Sequence, residues 1–196
     1  MNTSSKIAAI ALAASGLMAL SAGSASAAAV GTIDVTGAVG AKCMVLPSGA
    51  TTFTGTLGFG ELSGADGTLA PSTSTQSTSF EVVCNTAAPT VTISATPMTA
   101  QNNPTTTAGY SSTVDYTAEV NVLKATSGSA TFSYKTVDGT ALGGEPSTGP
   151  VGDRIKVISS NLTVTASALA TRGGTANILA ADTSYKGVIT VTVSPS

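Results

Sequence analysis

The chain has 196 residues, a formal net charge of −2, and neither Trp nor His. Charged residues make up 9% and aromatics 4%, so there is no basic footprint for nucleic acid, and the commonest acid–base side chain is missing. The charge is too low for a chain kept open by self-repulsion. Small and β-branched residues, punctuated by Gly and Pro, fit a single all-β domain.

Lys6 gives a short positive start, and "IAAIALAASGLMAL" follows as an apolar run. "SAGSASA" then offers small residues at Ala25 and Ala27. Residues 1–27 read as a secretory signal peptide, with cleavage after Ala27 or, alternatively, after Ala29. No later segment is long and apolar enough to span a bilayer, and no sorting tail is read in the closing "VTVSPS". The expectation is an exported chain with no membrane span of its own after cleavage.

"VGTIDVTGAVGAKC", residues 30–43, comes next. Ile33, Val35, Gly37 and Val39 fall on one face and Thr32, Asp34, Thr36 and Ala38 on the other. This is strand periodicity. Cys43 and Cys84 are the two cysteines. An even count in an exported chain favours one disulfide, with a pair of buried free thiols as the alternative. A metal site is disfavoured by the lack of His.

"TTFTGTLGFGELSG" places Phe53, Leu57 and Phe59 on one face before a Gly-rich turn. "FEVVCN" alternates Phe80, Val82 and Cys84 against Glu81, Val83 and Asn85. "APTVTISATPM" offers Val91, Ile93 and Ala95. Its strand should end near Pro97, which cannot donate to a ladder. "STVDYTAEVNVLKA" is the longest alternating run, from Val114 to Val122. "SATFSYKTVDGT" carries Phe132 and Tyr134 and turns at Asp138-Gly139. "RIKVISSNLTVTASA" supplies Ile155, Val157, Leu162 and Val164, and Gly173-Gly174 marks another turn. "YKGVITVTVSPS" closes the chain with Ile189, Val191 and Val193 in phase. Roughly eight to ten strands separated by turns suggest a β-sandwich.

Chemistry-bearing clusters are scarce. The ten carboxylates are scattered singly. Asp115 and Glu119 lie on the polar, solvated face of their strand if the alternation holds. Calcium would need a denser carboxylate loop. "GFG" lacks the helix and Lys-Ser pair of a phosphate loop and reads as a turn. Asn161 opens a glycosylation sequon, "NLT", inside a strand. Lys124 near Asn121 raises an isopeptide bond only weakly. The expectation is a non-enzyme with no cofactor.

The order of motifs resembles the spore coat protein U (SCPU) domain family, which includes subunits of archaic chaperone–usher pili. The residues that carry the resemblance are Cys43, the Phe59-Gly60 turn, Cys84 in "VVC", and the closing strand "YKGVITVTV". It covers the first third of the chain after cleavage and its last ten to fifteen residues. The family's Trp-Gly pair is absent. Thr183-Ser184 replaces a Gly before Tyr185, and Lys186-Gly187 replaces an Asp-Thr pair.

The resemblance implies an immunoglobulin-like β-sandwich of pilin type, lacking one strand that a donor completes. It implies residues 28–41 as an N-terminal donor extension and residues 42–196 as the body. Val30, Ile33, Val35, Gly37 and Val39 would be the donor residues. Ile189, Val191 and Val193 on the C-terminal strand would lie near the acceptor groove. Gly37, lacking a side chain, would face a shallow or filled part of that groove. Gly40 and Ala41 would form a flexible joint before Cys43. Burying Ile33, Val35 and Val39 would contribute roughly 5–9 kcal/mol before ordering costs. The implied partners are other copies or related pilin subunits, joined head-to-tail, with a periplasmic chaperone and an outer-membrane usher during assembly. The implied location is the periplasm in transit and then the cell surface. The competing reading is a self-contained secreted coat protein or adhesin, in which residues 30–39 are the first strand of a complete sandwich.

Overall fold

The computed structural model describes residues 34–70, 75–142 and 146–196. The signal-peptide reading, and Val30 and Ile33 of the extension, lie outside the described residues. Residues 39–196 form one compact unit and residues 1–38 another.

The fold is all-β, with ten strands among the described residues: β1 (Cys43–Leu46), β2 (Gln76–Cys84), β3 (Thr90–Ala100), β4 (Tyr110–Ser111), β5 (Thr113–Leu123), β6 (Ser129–Lys135), β7 (Thr148–Pro150), β8 (Leu162–Thr171), β9 (Ile178–Leu179) and β10 (Tyr185–Ser194). Eight of them make a sheet in the order β1-β2-β8-β5-β3-β10, with β6 added to β5 and β7 to β3. All pairings in this sheet are antiparallel. The short β4 and β9 pair in parallel beside it.

The sheet rolls up because β5 has three neighbours. β8 runs along one edge of β5, from Val114 opposite Thr171 to Val122 opposite Leu162. On the other edge β6 takes residues 117–123, and β3 touches only Thr113 and Val114. Past that corner β3 diverges to pair with β10 and β7. The result is a nearly closed sandwich, with the inward residues of β2, β5 and β8 facing those of β3.

Period-two alternation sets what is inside. Val114, Tyr116, Ala118, Val120 and Val122 of β5 join Leu162, Val164 and Ala166 of β8 in one core with Val91, Ile93 and Phe132. The buried Val, Leu, Ile and Phe side chains there are each worth about 1.5–3 kcal/mol.

Two sequence expectations change. β3 does not end near Pro97 but continues to Ala100. The proline sits in a β-bulge of β3, where Pro97 and Met98 together face the single Gly187 between the Lys186–Thr99 and Val188–Thr96 pairs. A bulge is a position where a strand tolerates the missing N–H. The Val188 N–H donates to Thr96 Oγ1 at 3.0 Å. Gly187 is needed at this crossing, since a Cβ there would lie 2.8 Å from the Thr96 carbonyl oxygen. The bulge also flips the phase of β3, so Val91 and Ile93 point inward before it and Met98 and Ala100 after it.

The second change is at Asp138-Gly139. The turn forms, with Gly139 at φ 68° and a Lys135–Asp138 ion pair of 2.7 Å. It leads into a loop, however, and the β5–β6 hairpin closes instead through Lys124 N–H to Gly128 O, 3.0 Å.

Candidate functional site

Among the described residues, β10 pairs with β3 along one edge only. Its other edge faces β1 and β2 across a groove. Near the C-terminal end of β10 the groove holds about 260 Å³ and is lined by Cys43, Val45, Phe53, Val82, Val191 and Val193. An adjoining stretch of about 480 Å³ shares Phe53 and Val191 and adds Phe80, Tyr116, Val164 and Ile189. Ile189, Val191 and Val193, singled out from sequence, therefore line this groove. Each packs against the core yet stays half-buried. The core is thus incompletely covered along this edge, and among the described residues no strand pairs with β10 there. Such an edge is a template for strand addition.

The groove is partly roofed by residues 51–60. Phe53, Leu57 and Phe59 turn inward and pack against the core, with Phe53 against Phe80 at a ring separation of 4.5 Å. Among the described residues this ten-residue stretch makes no hydrogen bond. It supplies apolar side chains but no ladder.

β1 and β2 form the groove's other wall. Cys43 and Cys84 are disulfide-bonded across 41 residues of sequence and lie opposite each other in the β1–β2 register. Residues 34–42 carry no strand assignment. Val35 and Val39 are 92% and 86% exposed. No atom lies within 4 Å of where a side chain would begin on Gly37 or Gly40. Gly40 and Lys42 are nevertheless held by Asn85. Its Oδ1 accepts from the Lys42 N–H at 2.8 Å, and its Nδ2 donates to the Gly40 carbonyl at 2.8 Å.

Asp115 is a correction to the solvated-face reading. It is buried at 2% exposure, beside a register shift between Asp115 and Thr117 that breaks the alternation. Arg172 grips it with Nε at 2.9 Å and Nη2 at 2.5 Å, and Thr136 Oγ1 donates to it at 2.9 Å. This is a structural ion pair tying β5 to the end of β8. Asn161 is also fully buried, and its side-chain amide is consumed by backbone groups, so the sequon is closed to modification. Asn121 Nδ2 donates to Ser129 Oγ and Thr131 Oγ1, so its amide is already engaged across β5–β6.

A larger cleft, about 1120 Å³, lies between residues 57–63 and residues 178–185. Its carboxylates are already engaged. Glu61 accepts from the Ser63 hydroxyl and N–H, and Asp182 accepts from the N–H groups of Asn102, Asn103 and Ser184. Burial alone would raise Asp182, but these amides outweigh it and pull its pKa down to about 2. Asp138 is likewise drawn to about 2, by Lys135 first and then Thr140. A depressed folded-state pKa means that the unfolded chain binds more protons in acid. The stability these carboxylates contribute is therefore full above pH about 4 and lost as pH falls toward 2. Urea midpoints should drop across that window, and Asp182→Asn should flatten the drop. A midpoint insensitive to acid would contradict it.

No group of three or more metal-ligating side chains is found among the described residues. The groove offers an apolar lining beside the edge of β10. Sequence reasoning missed Asn85, whose only signal was an amide directly after a cysteine at a strand end. No family model matches this chain, no curated protein is similar to it, and no solved structure resembles it.

Proposed function

We propose that this chain is a structural subunit of an exported surface filament, built by head-to-tail strand donation, of the kind the SCPU resemblance implies. The observation that carries the reading is the half-covered groove along the free edge of β10, in a chain whose own N-terminal segment offers Val35 and Val39 to solvent. Residues 30–39 match β10 in length, ten residues each, or about 33 Å when extended. Donated to a neighbour, they add a strand whose backbone bonds β10 while alternate apolar side chains seat on the groove floor. Because the donating and accepting surfaces differ, the contact propagates instead of closing on itself. A periplasmic chaperone would cover the groove before assembly and an outer-membrane usher would host the exchange.

The test is Val35→Asp in the full chain. A carboxylate aimed into an apolar groove without a partner costs several kcal/mol. Boiling-resistant ladders in surface extracts of cells making the wild-type chain should vanish with Val35→Asp, while monomer accumulates. Ladders that persist would overturn the reading.

One observation favours a second reading, a self-contained secreted adhesin or coat protein. Phe53, Leu57 and Phe59 already fill part of the groove from within the same chain. On that reading Val35→Asp leaves the protein's behaviour unchanged and the chain is monomeric throughout.

A further inference from the structure

The groove and the donor belong to the same chain, so something must decide whether an extension enters its own groove or a neighbour's. We infer that Asn85 makes this choice, by holding the root of the extension in line with β1 so that it cannot fold back. The inference rests on the filament reading above.

The geometry begins with the β1–β2 register. Cys43 lies opposite Cys84, so Lys42 falls opposite Asn85, one step past the end of β2. The Asn85 N–H donates to the Lys42 carbonyl at 3.1 Å and the Lys42 N–H donates to Asn85 Oδ1 at 2.8 Å. The side chain thus reproduces the exchange of a ladder rung where the second strand has stopped. Its Nδ2 then reaches two residues further, to the Gly40 carbonyl. Residues 40–42 are prolonged in the direction of β1, out beyond the sheet.

The groove lies the other way. Cys43 lines its end together with Val191 and Val193. An extension entering its own groove must reverse within a few residues of Cys43. Gly40 and Ala41, small enough to make that reversal, lie in the segment that Asn85 pins at the Gly40 carbonyl and at Lys42. A turn made further out would consume Val39, the last apolar residue of the extension. A neighbour's extension meets no such tether. Asn85 is therefore a positioning residue. It touches neither the groove floor nor the donor's apolar face, and it acts by keeping the groove free for another copy.

The test measures groove availability with a fluorescein-labelled synthetic peptide of residues 30–40, by anisotropy, at protein concentrations where light scattering gives single chains. The proteins are the wild-type chain without its signal segment, Asn85→Ala, and the double variant Val35→Asp/Asn85→Ala. Asn85→Ala should bind the peptide about tenfold more weakly than wild type, because its own extension occupies most grooves. The double variant should bind like wild type, because its extension no longer fits. Equal binding by wild type and Asn85→Ala overturns the inference and leaves the filament reading standing. Weak binding by both Asn85 variants also overturns it, since Asn85 would then shape the groove itself. If neither wild type nor the double variant binds the peptide, the groove accepts no strand, and the filament reading falls together with the inference.

Discussion

Asn161→Ala should lower the unfolding free energy by about 2–5 kcal/mol, from the cost of orphaning two buried backbone groups. The β2–β8 ladder runs from Gln76 opposite Ala166 to Phe80 opposite Leu162 and then stops. Val82 lies beyond that end and is 2% exposed. The Asn161 side chain takes over there. The Val82 N–H donates to its Oδ1 at 2.8 Å, and its Nδ2 donates to the Val82 carbonyl at 2.8 Å. The same Nδ2 donates to the Lys156 carbonyl at 2.8 Å, which anchors the loop before β8. Alanine removes all of these at once and leaves both Val82 groups without water or partner. Against a usual total of roughly 5–15 kcal/mol, that is a large share. Urea denaturation of the two proteins measures it. Asn161→Asp should retain part of the loss, since a carboxylate accepts from the Val82 N–H but cannot donate to its carbonyl. A loss below about 1 kcal/mol for alanine would mean that water reaches Val82, contrary to the burial described.

Removing the disulfide with Cys43→Ser/Cys84→Ser should cost about 4 kcal/mol by the chain-entropy argument for a loop of this length. The bridge closes 41 residues of sequence, including the stretch 51–60, which makes no hydrogen bond among the described residues. β1 is only four residues long and, among the described residues, pairs with β2 and, through Val45, with Ala50. Its amides should therefore be the first to lose protection. Hydrogen exchange read by mass spectrometry should show faster exchange over residues 42–46 in the double serine variant, with β5 and β8 unchanged. Uniform exchange in both proteins would show that β1 holds without the bridge.

Much of the fold was legible because alternation reports burial directly. The run from Val114 to Val122 gave β5, and Ile189 to Val193 gave β10, from period alone. That β10 would border a groove was implied by the SCPU resemblance and not by its period. What alternation could not report were partners distant in sequence. Asp115 read as a solvated carboxylate, yet Arg172, 57 positions away, buries it. Asn161 read only as a sequon inside a strand, yet its side chain completes a ladder 79 positions away. Pro97 read as a stop because its compensation, a bulge in which Pro97 and Met98 face Gly187 of β10, depends on a strand about 90 positions away. Residues 51–60 alternate like a strand and pack their apolar side chains on the core, but among the described residues they make no ladder. Asn85 was invisible because its role depends on where β2 ends relative to Cys43.

The central claim is that the segment ending at Val39 in one copy fills the groove of another. A photo-crosslinking amino acid placed at Val35, in an equal mixture of isotopically light and heavy chains, tests it most directly. Mass spectrometry of the irradiated assemblies should find Val35 joined to groove residues such as Phe80, Tyr116 or Val191, with mixed light–heavy pairs at the frequency of random partnering. Crosslinks confined to single chains, or falling outside the groove, would contradict it.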